Sequence, residues 1–190
     1  MADRAYWDGI YRTMIDQGIP YPDPDPLLFM YTPPTSQPPP LALDLACGVG
    51  QNGLWLATQG YTVDLIDISR VALFTAQSAA AERAIRRVNF LQMDLDSMAF
   101  EGKLDRAGYD LVCVFRYFRR ALLPTLRAIV KPGGRIIYET WNVQSIEADP
   151  NLIRDELTEV GELAGCFADW NLLRHAENNG VSQIVAIKPE

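Results

Sequence analysis

Apolar positions recur along the chain in two alternating periods, and this alternation predicts the fold. Residues 3–16 place Tyr6, Trp7, Ile10, Tyr11 and Met14 on one face of a short amphipathic helix. Residues 20–40 carry Pro20, Pro22, Pro24, Pro26, Pro33, Pro34, Pro38, Pro39 and Pro40. Proline removes backbone donors and disfavours helix in the residue before it, so this stretch is expected to be largely extended, a wrapping arm ahead of the domain proper. From residue 41 short apolar runs alternate with helical patterns. Strands are expected at 41–46, 61–66, 88–93, 109–115 and 135–140. Helices are expected at 51–58 (ended by Gly60), 70–83 (capped by Ser69) and 122–130 (stopped by Lys131-Pro132-Gly133-Gly134). Residues 97–108 are too broken by glycine and charge to read as a helix. A helix over 155–167 and two strands, 170–176 and 182–187, turned by Asn178-Asn179-Gly180, complete the pattern.

Strands alternating with helices imply an α/β fold, a Rossmann-like doubly wound sheet that is mostly parallel. The last two strands are joined by a turn too short for a crossover, so they are expected to pair as an antiparallel C-terminal hairpin. The organisation expected is an N-terminal helix and proline-rich arm over 1–40, with lid character, and one domain over 41–190.

Charge and composition narrow the partners. The chain has 190 residues and a net charge of −7, which disfavours nucleic acid and anionic membranes. Basic groups such as Arg83, Arg86 and Arg87, or Arg116, Arg119 and Arg120, read as solvated faces or salt-bridge networks. The three cysteines, Cys47, Cys113 and Cys166, are widely spaced and odd in number, which argues against disulfides and against a zinc site. With no signal-like or membrane-spanning apolar run, the expectation is a cytoplasmic protein, monomer or homodimer, acting on a small molecule, with no metal, nucleic-acid or membrane partner.

The chemistry concentrates on residues 44–53. Gly48-Val49-Gly50-Gln51-Asn52-Gly53 has the spacing G-x-G-x-x-G, a weak signal alone, but it follows a predicted strand and opens a predicted helix. Asp67 ends the next strand, where an acid accepts hydrogen bonds from both ribose hydroxyls of an adenosine. Asp44 decides which adenosine cofactor. A diphosphate favours a helix N-terminus, but a carboxylate beside the loop repels it. S-adenosylmethionine carries a sulfonium and an ammonium group instead, and these tolerate or use that charge. Two roles for Asp44 stay open together: contact with the cofactor, and holding the loop by accepting backbone N–H bonds. A dehydrogenase lacks its other parts here: no Tyr-x-x-x-Lys pair occurs, and only about 50 residues follow the fifth strand.

Asp44-x-x-Cys47-Gly48-x-Gly50, Asp67-Ile68-Ser69, Phe90 to Leu95 and Lys131 to Gly134 together resemble the motifs of class I S-adenosylmethionine-dependent methyltransferases, over roughly residues 41–140. Tyr6-Trp7-Asp8…Tyr11-Arg12 and Phe115-Arg116-Tyr117-Phe118-Arg119 look most like small bacterial members of the tellurite-resistance and thiopurine type. The resemblance implies that Gly48 and Gly50, with Cys47 and Asn52 in the same loop, meet the methionine part of the cofactor. It further implies that Asp67 binds the ribose, that Ile68 packs on the adenine, that Asp94 and Leu95 fix the adenine edge, and that Phe115 borders the methionine chain. Ile68, Leu95 and Phe115 also suit plain core positions, and Asp94 suits a turn cap.

On the acceptor side, the N-terminal helix either closes as a lid, bringing in Trp7, Tyr11 and Arg12 (the last to pair with the cofactor carboxylate), or simply docks its aromatic face. Arg116, at the carboxyl end of the fourth strand, either favours an anionic acceptor or pairs with a surface acid. Thr140-Trp141-Asn142 follows the fifth strand and is placed to close the acceptor pocket. His175, the single histidine, is a weak candidate base beside a structural reading. Asn-Pro-Pro-Tyr, the motif of amino-methylating nucleic-acid enzymes, is absent. The expected activity is methyl transfer to a small acceptor of thiol, chalcogen oxyanion, amine or carboxylate type, leaving S-adenosylhomocysteine. The alternative is a protein that binds either nucleoside without catalysis.

Overall fold

The computed structural model describes residues 3–96 and 108–190, and the chain divides into two compact units, Met1–Lys103 and Leu104–Glu190. The expectation of an irregular stretch over 97–108 falls almost wholly outside the described residues.

The first unit holds α1 (Arg4–Asp16), α2 (Pro26–Tyr31), β1 (Leu41–Leu45), α3 (Gln51–Thr58), β2 (Thr62–Asp67), α4 (Arg70–Glu82) and β3 (Val88–Gln92). β1 pairs in parallel with β2, and β2 with β3, giving the order β3-β2-β1. After its first residue β1 is buried at every position, as a strand covered on both faces must be. α3 and α4 are the crossovers between these strands. α4 starts where Ser69 accepts the Ala72 N–H at 3.1 Å, the cap expected from sequence. It buries Ala72, Ala76, Ala79 and Ala80, small residues that let it approach closely.

The proline arm is not simply extended. Asp25 accepts the Leu27 N–H at 2.9 Å and Pro26 takes the first turn of α2. There proline's missing donor costs nothing and its fixed φ suits the helix. Leu27 and Leu28 are buried, and Phe29 meets Trp55 of α3 edge to face at 4.9 Å. Farther along, Tyr61 donates its hydroxyl to the Pro33 carbonyl at 3.0 Å, and Thr35 donates to that of Gln59 at 2.9 Å.

α1 differs from its sequence pattern in the face it turns inward. Tyr6, Trp7 and Ile10 are exposed, whereas Asp8 is the buried residue of the helix.

The second unit contains β4 (Tyr109–Phe115), a 3₁₀ turn (Arg120–Leu122), α5 (Leu123–Ile129), β5 (Val130–Trp141), α6 (Glu162–Cys166), β6 (Asn171–Asn178) and β7 (Val181–Ile187). β4 and β5 are parallel, whereas β5–β7 and β7–β6 are antiparallel. The expected α/β class with its antiparallel C-terminal hairpin is present, turned by Asn179 (φ 52°) and Gly180 (φ 76°), the left-handed pair of a two-residue hairpin. Two expectations change. Residues 131–134 do not separate helix from strand but lie within β5, where Gly133 donates to the Lys188 carbonyl and Lys188 to that of Gly134, each at 2.9 Å. The helix expected over 155–167 shrinks to Glu162–Cys166, preceded by 3₁₀ turns at Val143–Glu147 and Arg154–Glu156. Its start is Gly161 in a left-handed conformation, which halts any helix running through it. Among the described residues no helix is long and apolar enough to cross a membrane.

The arm is expected to contribute to folding stability. Leu28→Ala should cost about 2–5 kcal/mol in urea unfolding, the range for emptying a buried leucine site. A loss below about 0.5 kcal/mol would show that α2 is not integral to the unit.

Candidate functional site

The site is built on the chain between β1 and α3. Leaving β1, the backbone is left-handed at Ala46 and Gly48 (φ 55° each) and at Gly50 (φ 81°). The Cys47 N–H bonds to the Ile66 carbonyl at 2.9 Å, which ties the loop to β2. Asp44, 1% exposed, accepts the Gly53 N–H at 2.7 Å and so fastens the strand end to the first turn of α3. Of its two open roles, the loop-holding one is visible in the geometry. A Cβ at Gly53 would lie 2.8 Å from Leu65 Cγ and 3.0 Å from that same carboxylate, which accounts for the third glycine. Cys47 is buried, and its thiol is pushed up by burial and by the Asp44 and Asp67 carboxylates. It stays a neutral packing group rather than a nucleophile.

Asp67 closes the other side of the loop. Its Oδ2 accepts the Gly48 N–H and its Oδ1 the Ser69 N–H, both at 2.8 Å. Burial raises its pKa, and the Asp8 charge adds to the rise. The N–H groups of Ser69, Gly48 and Ile68 oppose it without cancelling it. With three N–H groups on its two oxygens, the carboxylate retains acceptor capacity for a ligand hydroxyl. Ile68 is half-buried next to it, and the Met93 N–H bonds to the Asp67 carbonyl at 3.0 Å, which brings the chain after β3 alongside. There Leu95 is buried. Asp94 is exposed and accepts the Asp96 N–H at 2.9 Å, a turn cap.

The N-terminal segment roofs this loop. Tyr11 of α1 points its hydroxyl at Gly48, where a Cβ would come within 2.7 Å of it. Burial, then the charges of Asp67, Cys47 and Asp44, push the phenol far above its ordinary value. It is therefore a hydrogen-bond donor and no base at neutral pH. Trp7 lies beside Tyr11, ring centroids 6.3 Å apart, and Arg12 is exposed. Tyr21 donates to the Val49 carbonyl at 2.7 Å, with Arg83 over its ring at 4.5 Å. Burial, only partly offset by that cation, pushes the Tyr21 hydroxyl up to about 12. Asn52, 3% exposed, accepts the Asp25 N–H at 2.8 Å, so its side chain anchors the arm. Sequence pattern missed Asp8, Tyr21 and Asp25. Their signal lies in partners 27 to 63 positions away along the chain, which no local period encodes. A cavity of about 260 Å³ between the arm and α3, lined by Tyr21, Pro22, Gln51, Trp55 and Arg83 among others, includes neither Gly48 nor Asp67.

In the second unit, Phe115 and Arg116 lie at the carboxyl end of β4. Arg116 is left-handed (φ 60°), and its side chain sits 2.6 Å from Glu139 Oε1 and 4.4 Å over the Trp141 ring. Glu139 is 4% exposed and also accepts from Gln183. The pairing of Arg116 is thus with a buried acid, not the surface acid weighed from sequence. His175 stands on β6 with its side chain 45% exposed and Nε2 3.5 Å from Glu177 Oε1. The other Glu177 oxygen accepts from Asn142 Nδ2 at 3.0 Å and from Ser182, so the surroundings of His175 are structural. Among the described residues no acidic, histidine or cysteine cluster suits a metal ion.

The contact between Tyr11 and Gly48 makes a test. Gly48→Ala should destabilise by about 1–2 kcal/mol for the left-handed backbone and more for the clash with the hydroxyl. With Tyr11→Phe the nearest atom recedes from 2.7 to 3.5 Å. The double variant should therefore lose at least about 0.5 kcal/mol less than the summed single losses in chemical denaturation. Strict additivity would place the Tyr11 hydroxyl elsewhere.

Comparison with known proteins bears on this arrangement. Residues 42–134 match the model of the family described as methyltransferase domain. Hemagglutinin 1 of Eikenella corrodens is 27% identical over 143 residues, which cover 73% of this chain and 46% of that protein. The chain thus spans about half the length of that relative. Among solved structures, TehB from Haemophilus influenzae superposes with TM-score 0.68 at 17% identity, covering 97% of this chain and 66% of that one. An S-adenosylmethionine-dependent methyltransferase from Mesorhizobium loti gives 0.68 at 16%, over 86% and 96%. Another such enzyme, from Methanosarcina mazei, gives 0.62 at 17%, over 88% and 99%. At these identities the structural likenesses establish the fold. Residues 42–134, from β1 into β5, match that methyltransferase family, and the chain has the fold of S-adenosylmethionine-dependent methyltransferases.

Proposed function

We propose that the protein holds S-adenosylmethionine in its first unit and passes the methyl group to a small-molecule acceptor by in-line displacement, leaving S-adenosylhomocysteine. The observation that supports this most is Asp67, a buried carboxylate with spare acceptor capacity beside a glycine turn. Tyr11 lies over that turn so closely that no side chain fits on Gly48. The cofactor brings the reactive methyl on a sulfonium, and the protein's task is orientation and exclusion of water.

Each residue has a part in that task. Asp67 accepts from the ribose hydroxyls. Ile68 and Leu95 flank the adenine, with Asp94 at its edge. Gly48 and Gly50 let backbone approach the methionine portion. Tyr11, held protonated, donates to the cofactor carboxylate, and Arg12, at the end of the same helix turn, neutralises it. Trp7 shields the covered end. Asp44 and Asp67 together keep the loop negative, which suits a sulfonium and an ammonium and disfavours a diphosphate. The segment 1–40 acts as a fixed lid, pinned through Tyr21, Asp25 and Asn52.

For the acceptor, Arg116 at the carboxyl end of β4 is the candidate contact to an anion, its charge shared with Glu139. The net charge of −7 speaks against nucleic acid. No strong base is required for a thiol or a chalcogen oxyanion, which are nucleophilic at neutral pH, and His175, paired with Glu177, is not assigned one.

Calorimetry on the purified protein should show micromolar binding of S-adenosylhomocysteine. Asp67→Ala should weaken it at least about 30-fold, the weight of hydrogen bonds to a charged acceptor. The pKa of Asp67 is raised and its ionised form is the ribose acceptor. Wild-type affinity should therefore fall as pH drops through that raised value, and Asp67→Asn should lose this dependence. Absence of binding by both S-adenosylmethionine and S-adenosylhomocysteine would overturn the assignment. Methylation of a panel of thiols, chalcogen oxyanions, amines and carboxylates then selects the acceptor, with loss of turnover in Arg116→Ala expected for an anionic one.

A further inference from the structure

α1 turns an aspartate inward while Tyr6, Trp7 and Ile10 stay exposed. An apolar core contact would have reversed this, so the position of the helix is set by polar contacts. Asp8 Oδ1 accepts the Ser69 hydroxyl at 2.7 Å and the Val71 N–H at 3.2 Å. Ser69 Oγ in turn accepts the Ala72 N–H at 3.1 Å, and the Ser69 N–H bonds to Asp67 Oδ1 at 2.8 Å. The other Asp67 oxygen takes the Gly48 N–H at 2.8 Å, and Tyr11 stands over Gly48. Tyr11 follows Asp8 by three positions on the same helix, so both side chains leave it on one face. The result is a closed circuit: Asp8, Ser69, Asp67, Gly48, Tyr11 and back through α1.

Two properties make the circuit more than a brace. Ser69 has one hydroxyl proton, and it is given to Asp8 rather than to the carboxylate of Asp67. The Ser69 hydroxyl therefore takes up none of the acceptor capacity of Asp67. Asp8 also supplies acceptors to two donors at the start of α4, Ser69 Oγ and Val71 N–H, and so fixes the turn that aims Asp67. Arg4 lies 4.0 Å from the second Asp8 oxygen. Burial works against the Asp8 charge, but the Ser69 hydroxyl, the Val71 N–H and the charge of Arg12 outweigh it and hold the carboxyl below the ordinary range. The acceptor role is thus available at neutral pH.

We propose that Asp8 is a positioning residue for the adenosine end of the cofactor, acting through Ser69 to orient the Asp67 carboxylate while it registers Tyr11 over Gly48. This rests on the cofactor placement proposed above.

The test compares S-adenosylhomocysteine with 5′-methylthioadenosine, which keeps the nucleoside and lacks the amino-acid end. Both are titrated into wild type, Asp8→Ala, Asp8→Asn and Ser69→Ala, with thermal unfolding recorded for each. Ser69→Ala should weaken both ligands by about tenfold, and Asp8→Ala should weaken both by at least as much, S-adenosylhomocysteine the more because Tyr11 also loses its register. Asp8→Asn keeps an oxygen acceptor and should stay within about threefold of wild type. In the Asp8→Ala and Ser69→Ala proteins the Gly48 and Ser69 amide resonances, both bonded to Asp67, should move. Where Asp8→Ala does not fold, Ser69→Ala and Asp8→Asn carry the comparison. The proposal is overturned by affinities within twofold of wild type in the alanine variants. A loss confined to S-adenosylhomocysteine, an Asp8→Asn protein as weak as Asp8→Ala, or unmoved amide resonances would also overturn it. Failure of the wild type to bind either ligand is a separate result, which removes the cofactor assignment itself.

Discussion

The site depends on one carboxylate that holds two pieces of backbone at once. Asp67 accepts the first N–H of the glycine loop, at Gly48, and the N–H that precedes α4, at Ser69. Hydrogen bonds to a charged acceptor in a dry setting contribute about 1.5–3 kcal/mol each, but burial and the neighbouring Asp8 charge outweigh them for the ionised form, as the raised pKa shows. Asp44 does the same on the opposite flank through the Gly53 N–H. The loop is thus suspended between two buried acids. A diphosphate site offers bare N–H groups and positive potential at this place. Here those donors are taken up by protein carboxylates, and the potential is negative. That combination makes a glycine-rich turn with dinucleotide-like spacing suited to a ligand that carries positive charge.

A second consequence concerns the N-terminal segment. Its α1 leaves Tyr6, Trp7 and Ile10 exposed, and polar contacts hold the segment on the site: Asp8 on the start of α4, Tyr21 on Val49, Asp25 on Asn52. Such contacts are directional. They fix where Tyr11 stands without the bulk of a large apolar interface. Only around α2, with Leu27 and Leu28 buried and Phe29 against Trp55, does the arm pack as a core element does. The segment therefore combines one apolar anchor with several polar latches around the glycine loop.

The elements from β1 to β4 were legible in the sequence because each signal is local. The strands read as short, largely apolar runs, Ser69 caps α4 as its hydroxyl and position suggest, and the glycine turn is written in consecutive residues. Legibility failed where the deciding partner is distant or where punctuation has two meanings. The aromatic period of α1 placed Tyr11 inward but not Tyr6, Trp7 and Ile10, and it did not mark Asp8, whose donors lie more than sixty positions away. Proline density concealed α2, although Asp25 followed by Pro26 is itself a helix start. Residues 131–134 look like a stop, yet β5 continues through them by pairing with the C-terminal tail. Within the site, the glycines, Asp67, Ile68 and Leu95 all lie in the first unit. Asn52 and Asp94, by contrast, spend their visible hydrogen bonds on protein backbone.

The central claim is that the N-terminal segment and the glycine loop respond to the cofactor as one body. Amide hydrogen exchange with and without saturating S-adenosylhomocysteine tests this most directly. The account predicts that residues 4–16 and 21–28 gain protection together with residues 46–53 and 67–72. Protection of the loop and of the end of β2, with residues 4–28 exchanging at unchanged rates, would contradict it.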